Sequence, residues 1–525
     1  MNKLLDYYKE QKYLAFGRED LETKKSKCLK MKNTPRSVAQ PAPTLPPGFR
    51  GFDFTTYELS KRIRIGSHFN FLFFRFRLLN QIAKQNEHGK LEANLFSWLL
   101  MNKQRELPKW PELLLDKISY LPGHVIDQIL SHLPIRDAVR TSVLSRKWRY
   151  KWATIPYLVF DNQCLNVSSQ DQTLIKNKLV NIINHVLLLH NGPIHKFKLS
   201  YRDLLGSASI DRWILCISRS SIEELILEVW KGQPYKPPSC LFNCQNLTHL
   251  ELFNCLLEPP LTFKGFKNLR SLDLQHITIV QSVFENLISS CPLLEKLTLM
   301  NFSGVTHLNI DAPNLQFFDI GGNFYDVSFQ NTFYLALVSI GLYDNNNYEK
   351  TTGQSSSKLI KFFVNLPHIR RLEIQSYFLK YLAIGNVPSR LPNPCVDLSY
   401  LSIRIDFDDI EENTAALCLL KSCPNLQELE MSARPEEQIS VERSNNFWED
   451  DHWSSLFVHL RLVTVSGISG VKSEMDFLKF LLSNSPVLER LTLKPEHQED
   501  ECALMKELLR FRRASIYAEV IYSDS

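Results

Sequence analysis

A recurring spacing of apolar residues constrains the fold of this chain more than any other feature. From about residue 194 onward, an apolar-x-x-apolar-x-apolar unit recurs twelve times at intervals of 21 to 34 residues. Five units also carry a proline two residues before the first apolar position, a coincidence that composition alone does not produce. The middle apolar residues are Phe197, Leu225, Leu250, Leu272, Leu297, Phe318, Ile340, Leu372, Leu401, Leu429, Val463 and Leu491. The prolines are Pro292, Pro313, Pro367, Pro424 and Pro486.

This repeat predicts a leucine-rich-repeat solenoid. Each unit supplies a short strand whose alternate residues face inward, and the proline turns the chain into that strand. A single unit cannot bury its apolar face, so stacked units must share one continuous core. We therefore expect an α/β fold of parallel short strands with a helical or loop outer face, an inserted loop at 344–358 and a concave binding face formed by the variable positions.

Four of the eleven cysteines lie three residues before the first apolar position of a unit. These are Cys244, Cys291, Cys395 and Cys423. Because equivalent positions of different repeats are separated in space, we interpret them as buried repeat residues rather than zinc ligands. The grouping of Cys240, Cys244 and Cys255 is the competing zinc hypothesis. With no C-x-x-C pair, the cysteines indicate a reducing compartment and no disulfide framework.

The charge of the chain is unevenly distributed. The net charge of +5 combines 61 basic and 56 acidic residues, and residues 1–110 carry 21 basic and 10 acidic residues, a net +11. The remaining residues therefore carry 5 − 11 = −6. Residues 1–112 are predicted to be a basic, proline-interrupted extension of unknown structure. The N-terminus lacks a secretory signal pattern and no apolar stretch is long enough to span a bilayer, so we expect an intracellular protein of the cytoplasm or nucleus.

Residues 113–155 carry a compact helical pattern. An apolar stripe at helical spacing ends at Pro134, and a second amphipathic run follows. Ser145 is expected to cap a third short helix that carries Trp148 and Trp152. Three short helices cannot bury this much apolar surface among themselves, so the segment needs a partner.

The same segment resembles the F-box of plant F-box proteins. The resemblance lies in the pattern LP-x-x-x-I-x-x-IL-x-x-LP-x-x-DAVRTSVLSRKWR-x-x-W, which extends over about 40 residues. It implies docking on a Skp-type adaptor of a cullin-RING ubiquitin ligase. The residues that it assigns to this docking are Leu121, Pro122, Ile126, Ile129, Leu130, Leu133, Pro134, Val139, Val143, Leu144 and Trp148. One departure is Gly123, where the family usually has an acidic residue that caps the first helix.

The C-terminal region is similar to the FBD domain of plant F-box/leucine-rich-repeat proteins. The similarity lies in a helix-like run from Glu474 to Leu482, the SPVLERLTL unit and FRRAS before a final apolar strand. Terminal repeats need capping, which gives this region a physical role. The predicted arrangement is the extension at 1–112, the F-box at 113–160, the solenoid at 161–452 and the FBD domain at 453–525.

The chain contains none of the common catalytic motifs that we sought, and we predict no catalytic site, cofactor or metal. The acidic run from Asp406 to Glu412 lacks calcium-loop spacing and is expected to be a solvated loop. The resemblance implies a non-catalytic, substrate-recognising adaptor of a Skp–cullin–F-box ligase whose solenoid binds an unidentified protein target.

Three alternatives stay open. In the first, the chain is a leucine-rich-repeat interaction scaffold that joins no ligase. In the second, it binds nucleic acid through the basic extension. In the third, the helical segment reads DNA through a helix that carries Arg146, Lys147, Arg149 and Lys151. The net charge of −6 on residues 111–525 gives no reason to expect an acidic polymer or a membrane as partner.

Overall fold

The computed structural model describes residues 121–164, 172–343, 357–366, 368–434, 447–448, 457–495 and 506–523. The predicted extension at 1–112 and most of the predicted loop at 344–358 lie outside these ranges. The described strands are β1 (Tyr157–Phe160), β2 (Lys196–Leu205), β3 (Glu224–Lys231), β4 (His249–Phe253), β5 (Leu256–Leu257), β6 (Ser271–Gln275), β7 (Thr278–Ile279), β8 (Lys296–Met300), β9 (His307–Asp311), β10 (Phe317–Gly322), β11 (Asp326–Gln330), β12 (Leu337–Leu342), β13 (Arg371–Ser376), β14 (Tyr400–Ile405), β15 (Glu428–Ala433), β16 (Leu462–Ile468), β17 (Arg490–Pro495) and β18 (Glu519–Tyr522). The described α-helices are α1 (Gly123–Ser131), α2 (Ile135–Arg140), α3 (Gln172–Leu189), α4 (Ala208–Ile217), α5 (Gln281–Ser289), α6 (Lys358–Phe363), α7 (Phe378–Leu382), α8 (Ile410–Ser422) and α9 (Lys472–Asn484).

Fourteen of the described strands form one parallel sheet. Its order is β1-β2-β3-β4-β6-β8-β10-β12-β13-β14-β15-β16-β17-β18, which follows the chain. The remaining described strands form two small sheets, β5 with β7 and β9 with β11. A parallel sheet in chain order, with helices or loops between successive strands, is the architecture of a leucine-rich-repeat solenoid and confirms the predicted fold class.

The register of this sheet aligns eleven of the twelve predicted middle residues into one buried row. Phe197 pairs with Leu225, and the row continues residue by residue to Leu491. The row members from β1 to β17 are at most 2% exposed, and each such side chain contributes about 1.5–3 kcal/mol to the free energy of unfolding.

One predicted member of the row is wrong. Phe318 pairs with Val338, not with Ile340, which lies two residues later in the next buried row between Ile320 and Ile374. A two-residue shift keeps the same side of a strand inward, so Ile340 is still buried.

The cysteine position of the repeat begins the turn into the strand. The main-chain N–H of Leu247 donates to the carbonyl of Cys244 at 3.3 Å, and the same bond recurs three residues after Cys291, Cys395 and Cys423 at 3.1 to 3.3 Å. All four cysteines are buried, which confirms their interpretation as repeat residues. Among the described residues, no three His, Cys, Asp or Glu side chains gather as possible metal ligands.

The acidic run expected to be a solvated loop instead begins a helix. The Asp409 carboxylate accepts hydrogen bonds from the main-chain N–H groups of Glu411 and Glu412 at 2.9 and 3.2 Å, so it caps α8. Glu412 is fully buried and pairs with Arg434. These carboxylates are therefore part of the structure of the repeat.

The predicted helix after Glu474 is α9. The Glu474 carboxylate accepts hydrogen bonds from the main-chain N–H groups of Ser469, Gly470 and Val471 at 2.8 to 3.2 Å, which holds the turn before the helix. The apolar side of α9 packs against Trp448 through Phe477 and Phe480. β18 then extends the sheet by one strand, as expected for the C-terminal region.

The predicted third helix of the N-terminal module is wrong. Residues 144–150 form turns, and a 3₁₀ helix follows at Lys151–Thr154. In the described part of the chain the buried Ser145 hydroxyl has no hydrogen-bond partner, so it caps nothing. An isolated helix this short is marginal, and the burial of Trp148 and Trp152 decides the conformation. The chain then enters the sheet through β1, which the repeat analysis did not anticipate.

Candidate functional site

The helical module formed by residues 121–156 is packed around a small apolar core. Ile126 and Leu130 of α1 are fully buried, and Trp148 from the following turns is 1% exposed. The Lys147 ammonium group donates to the main-chain carbonyl of Leu121, which joins the turns to the start of α1. The module therefore holds its shape through contacts between its two ends.

The eleven predicted docking residues divide by burial into two groups. Seven are buried within the module, namely Leu121, Ile126, Ile129, Leu130, Leu133, Leu144 and Trp148. Pro122 and Val143 are exposed, and Pro134 and Val139 are half-buried. Only this second group presents apolar surface that a partner reaches without rearrangement of the module. We call Pro122, Pro134, Val139 and Val143 the accessible apolar set.

Tyr150 adds exposed aromatic surface that the sequence analysis did not assign. Its side chain is 72% exposed, because the predicted third helix is replaced by turns that direct this residue outward. Aromatic side chains with a polar tip are common in protein interfaces. The sequence did not indicate this exposure, because the predicted third helix did not define whether Tyr150, next to Arg149, would face the solvent.

The basic residues of the same segment do not form a DNA-reading helix. Arg146 to Lys151 lie on turns and the beginning of the 3₁₀ helix, whereas major-groove recognition needs a helix that presents its first residues to the bases. Lys147 and Lys151 are also engaged within the module, Lys151 with the Asp127 carboxylate. The structure therefore does not support the hypothesis of a DNA-reading helix in this segment.

The module continues directly into the solenoid. The main-chain N–H of Asn191 donates to the carbonyl of Ala153 at 2.8 Å, and that of His195 donates to the carbonyl of Pro156 at 2.9 Å. β1 then pairs with β2 through four residues. These main-chain bonds connect the module to the first repeats without an intervening linker.

The outward side of β3, β4, β6 and β10 carries a concentration of carboxylates. Glu228, Glu251, Asp273 and Asp319 lie on this side, and burial, followed by the nearby charge of Glu251, raises the pKa of Asp273 to about 8. The Trp230 ring lies 4.2 Å from the Phe253 ring, measured between centroids, beside this acidic area. Of these carboxylates, Glu228 and Glu251 are half-buried, whereas Asp273 and Asp319 are buried, so a target reaches mainly the two glutamates and the neighbouring aromatic rings.

Three family models match the chain in the same order as the structural parts. The F-box domain matches residues 118–159, the leucine-rich repeats of the FBD-associated F-box protein At5g56370 match residues 210–431, and FBD matches residues 454–493. F-box/FBD/LRR-repeat protein At1g13570 of Arabidopsis thaliana is 40% identical over 411 residues, which cover 78% of this chain and 98% of that protein. The chain belongs to the F-box/FBD/LRR-repeat protein family.

Two further relatives match the chain at lower identity. F-box/FBD/LRR-repeat protein At5g53840 of Arabidopsis thaliana is 28% identical over 412 residues, 73% of this chain and 88% of that protein. F-box/LRR-repeat protein At3g26922 of the same plant is 30% identical over 293 residues, 54% of this chain and 83% of that protein. Both resemblances drawn from the sequence are therefore confirmed, and F-box/LRR proteins are generally non-catalytic adaptors.

The F-box match encloses the module with the accessible apolar set and ends inside β1. The FBD match spans β16, α9 and most of β17. The domain boundaries given above stay predictions. Within the described ranges, no helix has the length and apolar character that a bilayer crossing requires.

Proposed function

We propose that this F-box/FBD/LRR-repeat protein is the substrate-recognition adaptor of a Skp–cullin–F-box ubiquitin ligase. The F-box would bind a Skp-type adaptor through the accessible apolar set, while the outward face of the solenoid would bind the protein to be ubiquitinated. The observation that carries the proposal is an F-box whose core is filled by seven of the predicted docking residues while four others remain at least partly accessible. F-box domains typically bind adaptors of this kind.

The connection between the F-box and the solenoid supports this division of labour. The sheet of fourteen described strands, at about 4.8 Å per strand, gives a path of about 60 Å along which a target can be held. Because main-chain hydrogen bonds attach the F-box to the first repeats, a bound target keeps a defined position relative to the ligase. Holding the target there raises the effective concentration of its lysines at the transfer site.

A charge substitution at Val143 tests the docking. Val143 is 57% exposed, so Val143→Glu places a carboxylate in the accessible apolar set without filling or emptying the core. Val280→Glu is the matched control, since Val280 is 60% exposed but precedes α5 in the solenoid. We expect co-purification of a Skp-type adaptor and cullin with the wild type and with Val280→Glu, and loss of both with Val143→Glu.

Two other outcomes decide against the proposal. Equal recovery of the adaptor with Val143→Glu and wild type, with unchanged thermal unfolding, rejects the docking surface. Recovery of the adaptor without cullin favours the scaffold alternative. The double variant Leu121→Ala with Pro122→Ala is a second test, although Leu121 is buried and its loss also destabilises the F-box.

A further inference from the structure

The outward side of β13, β14 and the end of β15 carries three arginines, and two of them have carboxylate partners. Nε of Arg371 lies 3.0 Å from Oε1 of Glu373, and its guanidinium lies 3.4 Å from the centre of the Tyr400 ring. Arg434 pairs with the buried Glu412. It also donates to the carbonyl of Ser376 at 3.0 Å. Both arginines therefore have a carboxylate partner within the repeats, although Nη2 of Arg371 is also buried without a hydrogen-bond partner among the described residues.

Arg404 differs from both. It points outward between the buried Ile403 and Ile405, is itself half-buried, and makes no ion pair with any residue that the structure describes. Its Nε is inaccessible and has no hydrogen-bond partner. Burial, followed by the neighbouring charge of Arg434, lowers the pKa of Arg404, while the nearby Tyr377 acts in the opposite direction.

A guanidinium whose buried Nε lacks an acceptor and whose charge has no carboxylate partner among the described residues is costly. Burying a charged donor without an acceptor loses its hydration, and a second cation nearby adds repulsion. Ser432, the register partner of Arg404 on β15, presents a hydroxyl on the same side that makes no hydrogen bond to another described residue. An anion placed between these groups would supply the missing charge and acceptors, and a guanidinium is the side chain best shaped for carboxylate or phosphate.

We propose that Arg404, with Ser432 and Arg434 beside it, binds an oxyanion group, a phosphate or a carboxylate, at the carboxyl ends of β14 and β15. The assignment of this group to a ubiquitination target rests on the proposed function, whereas oxyanion binding itself does not. The group belongs either to an acidic or phosphorylated side chain of a protein or to a free small anion. Both present the same oxygens to Arg404, and the choice of probes separates them.

Calorimetric titration of the full chain tests the site with three probes: inorganic phosphate, citrate and the peptide acetyl-Gly-phosphoserine-Gly-amide. We expect binding by the wild type that weakens about tenfold or more in Arg404→Gln, since a charge-assisted hydrogen-bond pair is lost. Arg490→Gln is the matched control, an exposed arginine on the same side of the sheet at β17. Tighter binding of the peptide assigns the group to a protein, and tighter binding of citrate or free phosphate assigns it to a small anion.

Thermal unfolding without any probe gives an independent readout. Arg404→Gln removes an unpaired charge, so we expect its Tm to lie above that of the wild type, and added phosphate should raise the Tm of the wild type alone. A lower Tm for Arg404→Gln indicates a structural role and overturns the proposal. So does an absence of binding for all three probes, or an equal loss in Arg490→Gln. Capture of the Skp-type adaptor by Arg404→Gln is expected to match the wild type, so failure of this site is distinguishable from failure of the docking proposal.

Discussion

Nζ of Lys151 lies 2.9 Å from Oδ2 of Asp127, an ion pair that joins the 3₁₀ helix at the end of the F-box to α1. A Cβ atom at Gly123, the first residue of α1, would lie 3.6 Å from the same Nζ. The first turn of α1 holds no acidic residue. The side chain of its N-cap residue, Pro122, accepts no hydrogen bond from the main-chain N–H groups of the helix. Because Gly123 departs from the family pattern, the N-terminus of α1 carries no acidic side chain. A carboxylate at this position would lie close to the ammonium group of Lys151.

Gly123→Asp is expected to stabilise the F-box by about 1 kcal/mol. An aspartate there interacts favourably with the helix dipole, approaches Lys151, and removes the conformational freedom of glycine in a helix. Urea unfolding, followed by the fluorescence of the buried Trp148 and Trp152, measures the change. Gly123→Asn is the control because it shares the backbone effect and lacks the charge. Equal stability of the two variants at low salt would contradict the electrostatic part.

Cys216 is expected to react with iodoacetamide well before the buried cysteines of the described repeats. Cys216 is exposed, whereas burial raises the pKa of both Cys244 and Cys255 to about 12 and that of Cys164 to about 11. Alkylation requires the thiolate, so burial protects these sulfur atoms through both access and protonation. Peptide mass spectrometry after a short reaction at pH 8 measures the order, and labelling in urea shows that each peptide is detectable. Comparable rates at Cys244 and Cys216 in the native protein would refute it.

The repeat was predictable because its signals are local. Inward residues alternate along each strand, and a proline or cysteine occurs at a fixed distance before them, so eleven of the twelve row positions follow from spacing alone. Ile340 was misplaced because Val338 and Ile340 satisfy the same period of two. The prediction of a third helix was wrong because the burial of Trp148 and Trp152 outweighed the helix propensity of this short segment.

The candidate sites depend on contacts that a single sequence does not contain. Which docking residues remain accessible depends on how α1, α2 and the turns pack against one another. Arg371 and Arg434 have a carboxylate partner from their own or a neighbouring element, whereas Arg404 has none among the described residues. The repeat pattern assigned no role to any of the three arginines and gave no basis for telling them apart.

Asp273 is expected to make the solenoid less stable as the pH rises. Its pKa in the folded chain is about 8, above the ordinary value of 3.8, so the folded state binds more protons than the unfolded state between these values. The free energy of unfolding therefore falls through this window and levels off above about pH 8. Asp273→Asn has no such proton and should gain stability relative to the wild type, on the order of a few kcal/mol, between pH 5 and pH 7.5. Urea unfolding of both proteins at the two pH values measures this difference.

Burial is the main cause of the raised pKa of Asp273, and Glu251→Gln tests the second cause, because Glu251 is the charge that raises this pKa most. Its removal should end the decline in stability at a lower pH and make the total loss smaller, because folded Asp273 then ionises at a pH closer to that of the unfolded chain. Glu489→Gln removes an exposed carboxylate from a distant repeat and should leave the decline unchanged. Burial raises the pKa of Glu412 to about 7, so Glu412 affects stability with the same sign, but it is present in all four proteins and cancels in the comparison. If Asp273→Asn and the wild type differ by the same amount at pH 5 and pH 7.5, Asp273 is ionised throughout and the assignment fails.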